Sequence, residues 1–154
     1  MKSPRRSLAI ALVALSPLVL AGCEKPYPGV TAWSGTSSQH SAALCWQDAE
    51  VGGLTPTECA QEVLDAAGSG QGVAALEVAP GATVGISVDP KVAEGGWSVQ
   101  IAGQTLATGL DETYYRFTFP EQGAVEPGGY TLQVIAAAQP NGARGYWFFQ
   151  LLPR

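Results

Sequence analysis

The chain has 154 residues, with 13 Asp and Glu against 8 Lys and Arg, a net charge of −5 and a single histidine. That acidity excludes nucleic acid as a partner, because affinity for it comes from cationic contacts to phosphates. Charged residues are only 14% of the chain, against about 25% in typical domains; Ser, Thr, Gln and Gly fill the surface, and Val, Ile, Tyr and Trp in short runs lean towards an all-β extracellular domain.

Met1-Lys2-Ser3-Pro4-Arg5-Arg6 is a basic head, and residues 8–20 are apolar apart from Ser16 and Pro17. A charged start, a short apolar core and a small-residue cleavage site make a secretory signal over 1–22. The apolar run falls short of the roughly 20 residues that span a bilayer. Leu20-Ala21-Gly22-Cys23 resembles the lipobox of bacterial lipoproteins. The resemblance implies a diacylglycerol on the Cys23 thiol, cleavage before that residue, and a protein held on the outer face of the cytoplasmic membrane. Small Ala21 and Gly22 suit a narrow cleavage pocket, and a thiolate can be alkylated where a hydroxyl cannot. The alternative is an ordinary secretory signal containing a cysteine; Arg5-Arg6 also leaves the twin-arginine route open beside general secretion. Removing 22 residues leaves 132, one domain's worth. They keep all 13 acidic residues and 5 basic ones, a net charge of about −8. Anionic lipid mildly repels such a body, so the lipid anchor, and not side-chain charge, has to hold it.

Residues 23–29 form a tether with two prolines, reaching about 20 Å at most. The remainder, 30–154, reads as one domain: an N-terminal strand and helix extension over 30–72 and a β core over 73–154. Val30 to Trp33 is a first strand, residues 35–39 a polar turn, and Ser41 to Trp46 a second extended piece. Thr55-Pro56-Thr57-Glu58 opens a helix: Thr55 caps, Pro56 suits the first helical position, and Glu58 returns a bond to the cap. Val63, Leu64 and Ala67 extend an apolar stripe with Cys59, and Gly68 ends it. Strands follow at Val73–Val78 and Thr83–Val88, then around Trp97/Val99/Ile101 and Tyr115/Phe117/Phe119. The last two are Tyr130 to Ala136 and Gly145 to Leu152, with Pro80-Gly81, Pro127-Gly128-Gly129 and Pro140-Asn141-Gly142 as turns. Period-two alternation with this punctuation predicts a β-sandwich or barrel.

Residues 127–152, with Gly129-Tyr130-x-Leu132-x-Val134, a short turn and a closing apolar strand, resemble the last two strands of an immunoglobulin-like domain. The resemblance covers about 73–154, gives Tyr130 the tyrosine-corner role and makes Trp97 the core tryptophan. The predicted fold is an immunoglobulin-like β-sandwich with one short N-terminal helix pinned by a disulfide. A second resemblance runs from the lipobox through Cys45 and Cys59 to Leu76–Gly81, Ile86–Val88, Gly96–Val99 and the Trp147/Phe149 strand. This pattern is similar to a group of small actinobacterial lipoproteins of uncharacterised function, and no catalytic or binding residue carries over from it.

Beyond Cys23 the chain holds Cys45 and Cys59. An even pair in an exported protein reads as a disulfide; a metal or redox pair is the alternative, at a spacing far wider than C-x-x-C. His40 lies among serines with no acid to position it and reads as a solvated loop residue. Asp111-Glu112 is an adjacent acidic pair, more in keeping with a polar turn than with calcium. Asp89, Glu94, Asp111, Glu121 and Glu126 lie near turns, and no spacing singles out two for glycan cleavage. No catalytic residue, metal or cofactor is implied. The candidate site is aromatic: Tyr146 and Phe148 alternate with the inward Trp147, Phe149 and Leu151. With Tyr114, Arg116 and Ile135 on neighbouring strands they would form an exposed binding face, unless segment 30–67 packs over it. The expected function is non-enzymatic binding of a protein partner or envelope component near the membrane. A carrier with an apolar ligand inside the sandwich and a cell-wall glycan hydrolase are the alternatives.

Overall fold

The computed structural model describes residues 25–121 and 128–154. Cys23 and Glu126 lie outside them. Two sheets pack face to face. One has four strands in the order β2 (Ser37–Ala42), β1 (Gly29–Ser34), β5 (Thr83–Val88), β8 (Tyr114–Thr118). The other runs β3 (Cys45–Trp46), β10 (Ala143–Pro153), β9 (Tyr130–Ala137), β6 (Trp97–Ile101), β7 (Gln104–Leu110), with β4 (Ala74–Val78) parallel to the later half of β10. Among the described residues two short helices complete the fold, α1 (Gln61–Gly68) and α2 (Pro90–Glu94). Among the described residues no helix is long and apolar enough to cross a membrane.

The alternation read from the sequence is the alternation of the core. Trp147, Phe149 and Leu151 of β10, Leu132, Val134 and Ala136 of β9, and Val99 of β6 are all fully buried, and Trp97 nearly so. They meet Val30 and Ala32 of β1 and Val84 and Ile86 of β5 from the opposite sheet. The ring of Phe119, itself fully buried, joins this core. Trp97 donates its indole N–H to the Glu112 carbonyl at 2.7 Å. Tyr130 packs edge-on to Phe119 at 6.1 Å.

Several elements differ from the expectation. β1 is an inner strand of its sheet, paired with β2 and β5, and so part of the sandwich and not an added extension. Gly29, assigned to the tether, opens it. The polar turn shrinks to Gly35-Thr36, with Gly35 at φ +58, and Ser37–Ala42 forms an edge strand. That strand includes His40, whose Nδ1 lies 3.1 Å from the Thr31 hydroxyl, so it is not a loop residue. β7 carries no core alternation because most of its residues are exposed. The helix expected from Thr55 is one turn: Glu58 accepts the Thr55 N–H and hydroxyl, both at 2.9 Å. Ala60, in extended conformation, breaks it before α1 begins. Cys45 and Cys59 are joined as a disulfide, with Cα atoms 5.7 Å apart.

Candidate functional site

Residues 143–151 pair with β9 in antiparallel register, and β9 with β6, so outward side chains line up in rungs across the sheet. Ser98, Ile135 and Tyr146 form one rung, and Gln100, Gln133 and Phe148 the next. Neighbouring strands lie about 4.8 Å apart and successive rungs about 7 Å apart. Tyr146 and Phe148 stack at 6.5 Å with 19° between their rings.

The sequence-derived face is therefore assembled in part. Ile135, Tyr146 and Phe148 come together; Tyr114 and Arg116 do not join them. Those two belong to β8 in the other sheet, where Tyr114 stacks on Trp33 at 6.2 Å. Strand alternation tells which residues share a face of one strand. It does not tell which sheet the strand enters. The face is also not open, since Phe148 is only 4% exposed. Segment 54–68 borders it, with Leu64 of α1 and Cys59 of the disulfide lining the same cavity as Tyr146. Burial pushes the Tyr146 phenol above its usual value.

Between helix and sheet a groove remains. Three adjoining cavities of about 170, 530 and 440 Å³ share Gln61, Leu64 and Tyr146, then Gly68, Gln133 and Phe148. They run from Thr55 and Pro56 to Gly103 and Gly129. Asp65 is the charged group in the lining, and its carboxylate accepts from Gln61 at 2.8 Å. Gln100 and Gln133, opposite each other on the floor, have side-chain amides without a bond to any other described residue. Each offers a carbonyl acceptor and two N–H donors. Nothing in the sequence marks these glutamines as site residues, although their alternation with Val99 and Val134 puts them outward.

A separate cavity of about 440 Å³ lies where the chain enters the domain, walled by Pro26, Tyr27, Pro28, Trp46 and Pro90 with Lys25, Asp48, Asp89 and Lys91. The expected tether is docked here: the buried Trp147 indole N–H donates to the Pro28 carbonyl at 3.0 Å, and Asp89 accepts the Gly29 N–H at 2.6 Å. The Lys91 ammonium, at 2.9 Å, holds the Asp48 carboxyl below the usual range, helped by the Trp46 indole N–H at 3.1 Å. A general acid for glycoside cleavage needs a raised pKa, and Asp48 is moved the other way. Among the described residues no three His, Cys, Asp or Glu side chains gather as a metal site.

No family model matches the chain, and no curated protein matches it. Among solved structures it is similar to the fibronectin(III)-like modules of Clostridium thermocellum CbhA. The identity is 15% over 53% of this chain and 88% of that one, with a TM-score of 0.40. The architecture is a two-sheet β-sandwich, mostly β, with its disulfide formed.

Proposed function

We propose that the chain is a bacterial lipoprotein, acylated at Cys23 on the extracytoplasmic face of the cell membrane. Its sandwich serves as a non-enzymatic binding module for an extended, uncharged segment of an envelope component or protein partner. The lipobox and the likeness to small actinobacterial lipoproteins support the anchor. The observation that carries the binding role is the floor of the α1 groove, where the Gln100 and Gln133 amides are unengaged beside the Tyr146–Phe148 stack. Both glutamines are half-buried, and amides that bond no other described residue can donate to and accept from a ligand lying in the groove. Aromatic faces flanking them add contact area.

The test is crosslinked capture from native membranes by the intact protein and by Gln133→Arg, which fills the groove from its floor. Phe148→Ala is less informative, because truncating a buried ring destabilises the fold by about 3–5 kcal/mol. Intact protein should capture one partner that Gln133→Arg loses while keeping its melting temperature. Equal capture by both would place the site elsewhere.

A further inference from the structure

The chain beyond Cys23 contains two lysines, Lys25 and Lys91, and they are 66 positions apart in a body of net charge about −8. Both line the cavity at the domain entrance. Lys91 also holds the Lys25 ammonium below its usual range, as expected of two cations brought close together. Each ammonium has three N–H donors, and the ion pair of Lys91 with Asp48 leaves donors over for an anion such as phosphate. Two carboxylates stand in the same cavity, each with an oxygen to spare. Asp48 uses Oδ1 for both Lys91 and Trp46, and Asp89 uses Oδ2 for the Gly29 N–H. The ring of Tyr27, 56% exposed, offers a face to a second cation. The cavity thus presents both signs of charge a few ångströms apart beside an aromatic wall, which suits a zwitterion.

Its position narrows the class of zwitterion. Lys25 follows Cys23 by two residues, a reach of about 7 Å. The head-group layer of one leaflet is about 5–8 Å deep. A domain docked to its own chain at Pro28 therefore opens this cavity at lipid head-group level, where Tyr27 occupies the depth favoured by interfacial aromatics. The acidic body disfavours anionic lipid.

We infer that this cavity binds the head group of a phosphatidylethanolamine-type lipid, its phosphate on Lys25 and Lys91 and its ammonium on the free oxygens of Asp48 and Asp89 beside Tyr27. The inference rests on the acylation of Cys23 proposed above. Lipid engaged this way fixes the domain's orientation on the membrane, which a flexible anchor alone does not.

Native mass spectrometry of the full-length protein, extracted from membranes in maltoside micelles doped with one lipid at a time, tests both points in one spectrum. The protein should carry the acyl mass on Cys23 and retain one phosphatidylethanolamine. Phosphatidylglycerol, which lacks the ammonium, should be retained several-fold less. Lys25→Ser/Lys91→Ser should lower retention of phosphatidylethanolamine by roughly tenfold or more, as loss of charge-assisted bonds requires. Acylated protein that retains no phosphatidylethanolamine, or retains phosphatidylglycerol equally well, overturns the head-group site and leaves the anchor intact. Soluble glycerophosphoethanolamine binding as well as the lipid would replace the membrane source with a free metabolite. Absence of the acyl mass would remove anchor and site together.

Discussion

Arg144, at the start of β10, is 2% exposed and lacks a carboxylate partner; among the described residues Lys91 and Asp48 form the ion pair. A buried cation is tolerated only where other groups replace its hydration. Here the guanidinium lies 4.6 Å over the Trp46 ring, Nη2 donates to the Asp48 carbonyl at 3.1 Å, and Nε points to the Gln47 carbonyl at 3.4 Å. Nη1 is buried without a partner, as is Gln47 Oε1. A planar fork laid on an indole and two carbonyls has no equivalent in an ammonium. Arg144→Lys should therefore cost about 1–3 kcal/mol, read as a lowered urea midpoint with unchanged slope. An unchanged midpoint would mean that the fork and the stacking contribute nothing beyond charge. The same substitution loosens Trp46, one wall of the entrance cavity, so an effect on lipid retention should accompany the loss of stability.

At the scale of elements, α1 is the part least able to stand alone. It has eight residues, Ala60 makes no side-chain cap, and Ala67 is its buried residue; isolated helices below about 12–15 residues are marginal. The disulfide, closing a separation of 14 residues, is worth about 3 kcal/mol in the chain-entropy model and joins the segment before α1 to β3. Reduction should lower the unfolding free energy by about that amount. Amide exchange should then show α1 opening while β6, β9 and β10 stay protected, and equal protection of α1 and the strands would contradict this. The difference between core strands and α1 also explains what could be read in advance. Trp147, Phe149 and Leu151 advertise a buried face because every second residue must leave water. β7 and β2 advertise nothing, since an edge strand with solvent on most of its side chains has no such requirement. Tyr146 and Phe148 were legible as outward residues. Their cover was legible as the alternative in which segment 30–67 packs over them; the separation of Tyr114 from them was not, because it depends on long-range strand order.

Across the whole molecule, β10 links the two proposed sites. Its first residues lie beside Trp46, and its last pair with Tyr130 next to Gly129. The entrance cavity is thus at one end, and the groove follows the strand away from it along the outer face. Trp147 joins this layout to the core. Its ring is fully buried, lies 5.8 Å from Trp46, and its N–H holds the Pro28 carbonyl. A phenylalanine there fills less volume and leaves that carbonyl without its donor, so Trp147→Phe should cost about 1–3 kcal/mol. Stability alone would not separate a filler from a clamp. If the indole clamps the entering chain, the Gly29 amide, bonded to Asp89, should exchange faster in the variant. The Lys25 ammonium should also titrate closer to its ordinary 10.5, because it is proximity to Lys91 that lowers it. The Gln100–Gln133 rung, on the opposite face of the sheet, should keep its amide protection relative to the other strands. Loss of stability with Gly29 and Lys25 unmoved would make Trp147 a space-filling residue and leave the entering segment held by Asp89 alone.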